Sequence, residues 1–244
     1  IEKRQLLNEL TQAMSNLEFE LWYQPQFNLN TGEIVGAEAL VRWVHPEKGL
    51  IKPDEFIPTI ENSELIHQFG LWVIRQAIAF LRSCRTIYPD ISISINLSAS
   101  QLQSENSLMS QLEKLNIESA LADKLHLEIT ETFLLTDEEQ AKSILGKLQK
   151  SGFKVWLDDF GTGYSALSHL KNYPVDGLKI DRSFVNGLES EWENKALTQA
   201  ILSVADALEI QAIAEGVETT EQSNTLKEMG CQVAQGYLFA RPMP

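Results

Sequence analysis

The sequence predicts an α/β fold of the (β/α)8 TIM-barrel type, with a first strand antiparallel to the second. Eight short β-prone segments recur along the chain, and stretches of helical period separate most of them. Only residues 29–33, which include Asn30 and Gly32, join the first two segments, and that length suits a hairpin. With 244 residues and no linker-like segment, the chain is expected to form a single domain over residues 1–244.

The expected strands are short runs rich in β-branched and aromatic residues, and several end in a carboxylate or an amide. Carboxylates are costly inside a sheet unless they are paired or bound to metal. Barrels of this type carry their active sites at the carboxyl ends of the strands, so these polar ends predict one acidic cleft. The expected strands are residues 20–28, 34–43, 92–98, 125–130, 154–160, 177–181, 211–217 and 233–239.

Four stretches place apolar residues at helical spacing. One of them opens with Thr136 and Glu139, the pattern of a capping box, and another is followed by Gly230, a favoured residue just past a helix end. The expected helices are residues 63–85, 136–150, 191–208 and 219–229.

The composition and charge of the chain exclude some classes of binding partner. The chain is 43% hydrophobic and 22% charged, as expected of a globular protein with a sizeable core. A net charge of −14 argues against binding of DNA, RNA or anionic membranes by this domain. Cys84 and Cys231 form no CxxC or CxxxC pair, which indicates reduced thiols and a cytoplasmic location. Because the chain begins with Ile1, we expect it to be a piece of a longer protein. The other parts of that protein could include a membrane anchor.

Strand alternation places the strand-end carboxylates on the inner face of the barrel. Asp158 and Asp159 are adjacent and would normally diverge, but Gly161 and Gly163 can bend the chain so that both reach one site. Lys179 and Arg42 share the inner faces of their strands and suit a phosphate or an attacking water. The expected oxygen ligands are Glu38, Asn96, Glu128, Asp158, Asp159 and Glu215.

Six oxygen ligands exceed what one Mg²⁺ usually takes from protein, and they favour two hard cations over a soft metal. Two such cations activate a water and stabilise an in-line phosphoryl displacement. Each residue alone has a simpler interpretation. Glu38 alone is typical of a surface acid, and the Asp158–Asp159 pair alone is typical of a capping turn. Lys179 alone suits an ion-pair partner of Asp181 or Asp176. Their joint placement at one barrel end favours the metal site.

The same residues resemble a known family. Glu38-Ala39-Leu40 lies within GAEALVRW, and NLS, EITE, LDDFGTGYSAL, LKIDRSFV, AEGVET and QGYLFARP follow in order. This series resembles the EAL domain, the bacterial phosphodiesterase of the second messenger cyclic di-GMP. The resemblance covers nearly the whole chain, from about residue 19 to residue 244.

The resemblance implies metal-dependent hydrolysis of one phosphodiester of cyclic di-GMP to linear pGpG, with Mg²⁺ or Mn²⁺ as cofactors and Ca²⁺ inhibitory. It implies that the six oxygen ligands named above hold the metals, that Glu38 and Lys179 are catalytic, and that Glu131 holds the loop 161–168. That loop would support the metals and dimerisation. A homodimer and regulatory domains in the full-length chain are also implied. The substrate contacts and supporting residues that it implies are Gln24, Arg42, Gln235, Asp181 and Glu218.

Trp156 departs from the family, which commonly has a small residue at this position. Alternation places it on the same inner face as Asp158. We therefore predict that the indole fills the barrel layer beneath the metals, with Gly36, Ser94 and Gly177 making room for it.

Two other functions compete with the phosphodiesterase. A receptor that binds the dinucleotide without cleaving it would be expected to lack a metal ligand or the lysine, and none is lost here. A lyase or aldolase would use Lys179 as a Schiff-base nucleophile. The surrounding carboxylates argue against this because they favour the protonated lysine.

Overall fold

The computed structural model describes residues 2–103, 105–134, 137–161 and 170–244. Eight strands form a closed barrel, because β1 pairs with β2 at one side and with β9 at the other. The ninth strand, β3, extends the upper end of β2 outside the barrel. The strands are β1 (Phe19–Asn28), β2 (Ile34–His45), β3 (Gly49–Ile51), β4 (Ser92–Asn96), β5 (Leu125–Thr130), β6 (Lys154–Phe160), β7 (Gly177–Ile180), β8 (Gln211–Ala214) and β9 (Val233–Ala234).

The predicted fold class is confirmed. β1 is antiparallel to both of its neighbours, and the other barrel strands are parallel from β2 through β4 to β9. β5 and β6 begin and end where the sequence predicted. β4, β7, β8 and β9 end earlier than predicted, because the chain leaves the hydrogen-bonded ladder where the loops begin. The short strand β3 was not predicted.

Helices surround the barrel, and the apolar faces of the longer ones cover it. The four predicted helices are present as α3, α8, α10 and α11, with small shifts at their ends. The helices are α1 (Glu2–Ser15), α2 (Pro53–Glu61), α3 (Leu65–Cys84), α4 (Ala99–Gln103), α5 (Glu105–Lys114), α6 (Ser119–Ala122), α7 (Glu131–Leu134), α8 (Glu138–Lys150), α9 (Arg182–Val185), α10 (Trp192–Ala207) and α11 (Thr220–Glu228). No helix among the described residues combines the length and the apolar character needed to cross a bilayer.

The helix caps differ in part from the prediction. The N-cap of α8 is Asp137, whose carboxylate accepts a hydrogen bond from the amide of Gln140. The predicted capping box of Thr136 and Glu139 is therefore wrong for this helix, and Thr136 lies outside the described residues. Gly230 follows α11 with a φ of 90°, as its predicted position past a helix end requires.

The outward faces of the strands pack against the helices and form the apolar core. Ile93, Ile95, Val155 and Leu157 are completely buried there. Several inward-facing residues are polar and buried, among them Glu38, Ser94, Glu128 and Lys179. Apolar burial between the strands and the helices therefore stabilises the fold, and polar side chains can occupy the inside of the barrel.

Trp156 fills the barrel interior as predicted, and it is 2% exposed. A Cβ on Gly177 would lie 2.7 Å from three atoms of the indole, so only glycine fits beside it. The indole stacks on His126 at a centroid separation of 5.2 Å. The prediction for Gly36 was wrong, because its missing Cβ makes room for Gln26 and Ser92 instead.

Candidate metal centre and active site

Lys179 lies at the centre of a ring of carboxylates inside the barrel. Its side chain is 1% exposed. Its Nζ lies 2.7 Å from Glu215 Oε1, 2.8 Å from Glu128 Oε2, 3.1 Å from Asp158 Oδ1 and 3.2 Å from Glu38 Oε2. One ammonium therefore faces four carboxylates, and it can neutralise only one of their charges.

The barrel topology explains this convergence. The five residues come from β2, β5, β6 and β7 and from the end of β8, which all run in the same direction. Parallel strands bring their carboxyl ends to the same side of the barrel. Residues far apart in sequence therefore meet at that side.

A β-bulge brings the two adjacent aspartates to one site. The pairing of β6 with β7 shifts by one residue between Leu157 and Phe160. Asp159 itself has a left-handed φ of 53°, and Gly161 follows with a φ of 98°. Oxygens of Asp158, Asp159 and Glu215 consequently lie within 4.8 Å of one another. The bend thus starts at Asp159 rather than at the glycines we predicted, and Gly163 lies outside the described residues.

Amide side chains orient Glu38. Asn96 donates a hydrogen bond of 3.0 Å to Glu38 Oε1, and Gln235 donates one of 2.6 Å to Glu38 Oε2. Gln235 also lies 2.9 Å from Glu215 Oε1, and its own oxygen accepts a hydrogen bond from Gln26. Glu38 is therefore fixed on both oxygens, whereas Glu128 Oε1 is buried without a hydrogen-bond partner among the described residues.

The protonation of the site reflects its excess of negative charge. Burial raises the pKa of Glu128 well above its ordinary value, and burial raises the pKa of Glu215 to about 8, with Lys179 opposing both shifts. Burial opposes the charge of Lys179 itself, but attraction to Glu128 and the other carboxylates outweighs it, so the pKa of Lys179 is raised. Burial acts against the charge of Glu38 too, but Lys179, Gln235 and Asn96 outweigh it and lower its pKa.

The residues fit hard divalent cations. With Asp159, five carboxylates and one ammonium leave a local charge of −4 when all are ionised, and the burial of these groups makes that charge costly. All the donors are carboxylate or amide oxygens, which favour Mg²⁺, Mn²⁺ or Ca²⁺. The unpartnered oxygen of Glu128 is a further donor. The structure thus brings together all six ligands predicted from the sequence.

The other predicted residues lie around this centre. Gln24 pairs across the strands with Glu38 and donates to the carbonyl of Ala240. Glu131 is buried, and its Oε2 accepts a hydrogen bond from the amide of Gly161 at 3.1 Å. The rest of the loop 161–168 that Glu131 was predicted to hold lies outside the described residues.

Asp181 and Glu218 lie at the starts of helices beside the barrel. Burial raises the pKa of Asp159, and the charges of Asp158 and Asp181 raise it further. Asp181 is the N-cap of α9, where its side chain accepts a hydrogen bond from the amide of Ser183. The amide of Glu218 donates to Gln222, the residue that also forms the capping box of α11. Both residues thus lie where loops leave the barrel.

Aromatic and basic side chains lie at the rim of the site, and the sequence analysis identified only Arg42 among them. Arg42, a predicted substrate contact, lies with its guanidinium carbon 5.7 Å from the centre of the Trp22 ring. Arg241 lies over the ring of Tyr237 at 4.5 Å. Strand alternation could have found Trp22, because it shares a face of β1 with Gln24.

Comparison with known proteins identifies the family. The family model described as the EAL domain matches residues 7–242. The chain belongs to the EAL domain family. It is 39% identical over 245 residues to the cyclic di-GMP phosphodiesterase NbdA of Pseudomonas aeruginosa, covering 100% of this chain and 31% of NbdA. It is also 39% identical to the bifunctional diguanylate cyclase/cyclic di-GMP phosphodiesterase MucR of the same organism, covering 100% of this chain and 36% of MucR.

A solved structure shares the fold of this EAL domain. The PaMucR phosphodiesterase in complex with c-di-GMP superposes with a TM-score of 0.89 and 38% identity, covering 98% of each chain. The chain spans about a third of the length of the two curated relatives.

Proposed function

We propose that this EAL domain hydrolyses one phosphodiester of cyclic di-GMP to give linear pGpG. One observation carries the proposal: four carboxylates lie within 3.2 Å of one buried lysine at the carboxyl end of the barrel, and a fifth, Asp159, lies beside Asp158 and Glu215. Membership of the EAL family supports the substrate, because NbdA and MucR are named as cyclic di-GMP phosphodiesterases and PaMucR is solved with c-di-GMP.

Six residues would hold two divalent cations, Mg²⁺ or Mn²⁺. These cations, when bound, would supply an activated water and stabilise charge on the phosphoryl oxygens. Ca²⁺ is proposed as an inhibitor, because its longer and looser coordination fits such a pair poorly. The proposed ligands are Glu38, Asn96, Glu128, Asp158, Asp159 and Glu215.

The residues of this chain would position the reactants. Asn96 and Gln235 hold both oxygens of Glu38 in place, so this carboxylate does not rotate during the reaction. Lys179 stays protonated among the carboxylates and therefore acts as a hydrogen-bond donor to the attacking water or a phosphate oxygen. The same protonation argues against the Schiff-base role, which needs a free amine.

Substrate binding would use the rim. Arg42 would contact one phosphate, and Gln24 and Gln235 would contact the substrate from the inner wall beside Glu38. Glu131 would hold the start of the loop 161–168 through its bond to Gly161. Asp181 and Glu218 would support the loops that close around the site.

The assembly and setting of the domain are also proposals. We propose a homodimer, regulatory domains in the same full-length chain, and a cytoplasmic site of action. The multidomain length of NbdA and MucR supports the regulatory domains.

The function is tested by incubating the protein with cyclic di-GMP and Mg²⁺ or Mn²⁺ and separating the nucleotides by chromatography. We expect pGpG, no product in EDTA, and no product from Glu38→Gln, which keeps the size of Glu38 but removes its charge. Tight binding of cyclic di-GMP without product under either metal would support the receptor instead. Product formation that persists in EDTA would contradict the two-metal mechanism.

A further inference from the structure

Trp22 and Arg42 are neighbours on the inner face of the rim, and the strand register shows why. Glu20 lies directly opposite Arg42 in the antiparallel pair of β1 and β2, and Trp22 lies opposite Leu40. The indole is therefore diagonal to Arg42, within reach of a long side chain. The guanidinium carbon lies 5.7 Å from the ring centre, in the range of a cation–π contact.

The guanidinium of Arg42 keeps most of its donors free. The structure records one hydrogen bond for it, in which Nη1 donates to the carbonyl of Val41 at 2.8 Å. No carboxylate of the described residues lies within 4.0 Å of its nitrogens. Burial lowers its pKa, and Tyr237, Glu38 and Asp54 oppose that shift. Among the described residues, the guanidinium thus uses one of its five donors in a recorded hydrogen bond, and the acids that favour its charge lie beyond ion-pair distance.

Glu20 is the expected ion-pair partner of Arg42, because opposite charges directly across two strands attract. It does not pair with Arg42 in the structure. Its Oε2 instead accepts a hydrogen bond of 3.0 Å from Trp22 Nε1. The same indole thus engages Glu20 through its N–H and Arg42 through its ring.

We infer that Trp22 is a positioning residue that keeps Arg42 available to an anionic ligand. It supports the guanidinium with its ring and keeps the carboxylate of Glu20 away from it. The inference deepens the proposed function and rests on it in one respect, that the anion is a phosphate of cyclic di-GMP. Trp22 itself need not touch the substrate.

Three variants separate the contact of Trp22 with Glu20 from its contact with Arg42, and a fourth variant is the control. Trp22→Phe keeps a ring but removes the N–H, which frees Glu20 to pair with Arg42. Trp22→Phe combined with Glu20→Gln removes that competing charge. Trp22→Leu combined with Glu20→Gln removes the ring as well. Trp192→Phe, on the exposed first residue of α10, is the matched control for a tryptophan-to-phenylalanine change.

Steady-state hydrolysis of cyclic di-GMP with Mn²⁺ at low ionic strength gives KM and kcat for each variant. We expect Trp22→Phe to raise KM about two- to fivefold with kcat unchanged, as the strength of an exposed ion pair implies. The pair Trp22→Phe/Glu20→Gln should return KM to the wild-type value, and Trp22→Leu/Glu20→Gln should stay about two- to fivefold higher. A structural role for Trp22 would not predict rescue by a charge change at Glu20.

The inference is overturned if Trp22→Phe leaves KM unchanged, or if the Glu20→Gln change does not restore it. If the wild type does not hydrolyse cyclic di-GMP, the proposed function fails. The dissociation constant of cyclic di-GMP then replaces KM, and the same rises and the same rescue are expected across the variants. A wild type that neither binds nor hydrolyses the dinucleotide overturns both proposals.

Discussion

Glu215→Gln is expected to stabilise the metal-free protein while it abolishes turnover. The carboxylate lies 2.7 Å from Lys179, which by itself predicts that removing its charge is destabilising. Lys179, however, keeps three other carboxylates at 2.8–3.2 Å after the change. Burial and the neighbouring acids dominate, as the raised pKa of Glu215 shows, so we expect the loss of this charge to be favourable.

The magnitude follows from the pKa. Burial raises the pKa of Glu215 from 4.5 to about 8, which corresponds to at most about 5 kcal/mol of lost stability at pH 8. Below pH 4.5 the carboxyl is protonated in both states and has no such effect. As pH rises from 4.5 to 8, the unfolded chain releases the proton while the folded protein retains it, so the wild-type stability falls. Glu215→Gln removes this fall.

Thermal unfolding in EDTA at pH 5, 6, 7 and 8 measures the effect. At about 2–4 °C per kcal/mol for a chain of this size, the variant should gain about 5 °C or more in Tm at pH 8 and much less at pH 5. Glu113→Gln, an exposed residue of α5, is the control and should change Tm little. A lower Tm for Glu215→Gln in EDTA at pH 8 would refute the reasoning, because Glu215 would then stabilise the fold through Lys179.

Two further predictions concern the scaffold. Gly177→Ala places a Cβ 2.7 Å from the Trp156 ring and should cost about 1–3 kcal/mol, whereas Gly146→Ala, in an open position of α8, should stabilise. Chemical denaturation measures both, and equal effects would refute the packing of Trp156 against Gly177. Asp137→Ala should cost about 1 kcal/mol in the same assay because it removes the cap of α8, and Glu139→Ala, which would break a capping box, should cost much less. Equal losses of stability in the two variants would support the capping box that the sequence predicted and contradict the Asp137 cap.

Much of the fold could be predicted because its signals are local. The β-prone runs of β5 and β6 and the hairpin between β1 and β2 are visible in the residues themselves, and the observed bounds agree with them. Helix α1 was missed although it carries a short apolar stripe at helical spacing. Leu10 and Ala13 of that stripe are completely buried, and Leu6, Leu7 and Met14 pack against the core. Its many polar residues lowered the apparent signal, but the periodicity was present in the sequence.

The residues that form the site could be predicted from the sequence, but the distances between them could not. Alternation and family motifs identified the six oxygen-bearing side chains that the structure brings together, yet neither indicates that Lys179 lies within 3.2 Å of four carboxylates. The left-handed backbone of Asp159 was also invisible, because glycines rather than aspartates signal such bends. Alternation could place Trp22 on the inner face, but its contacts with Glu20 and Arg42 depend on the register of β1 with β2, which is a property of the assembled sheet.

Hydrolysis in ¹⁸O-labelled water tests the central claim most directly. If the carboxylate ring directs water to phosphorus, mass spectrometry of the product formed with Mn²⁺ will show pGpG with one solvent oxygen in its terminal phosphate. The same incubation in EDTA will return intact cyclic di-GMP. Recovery of unchanged cyclic di-GMP in the presence of Mn²⁺, or labelled product in EDTA, would contradict the account.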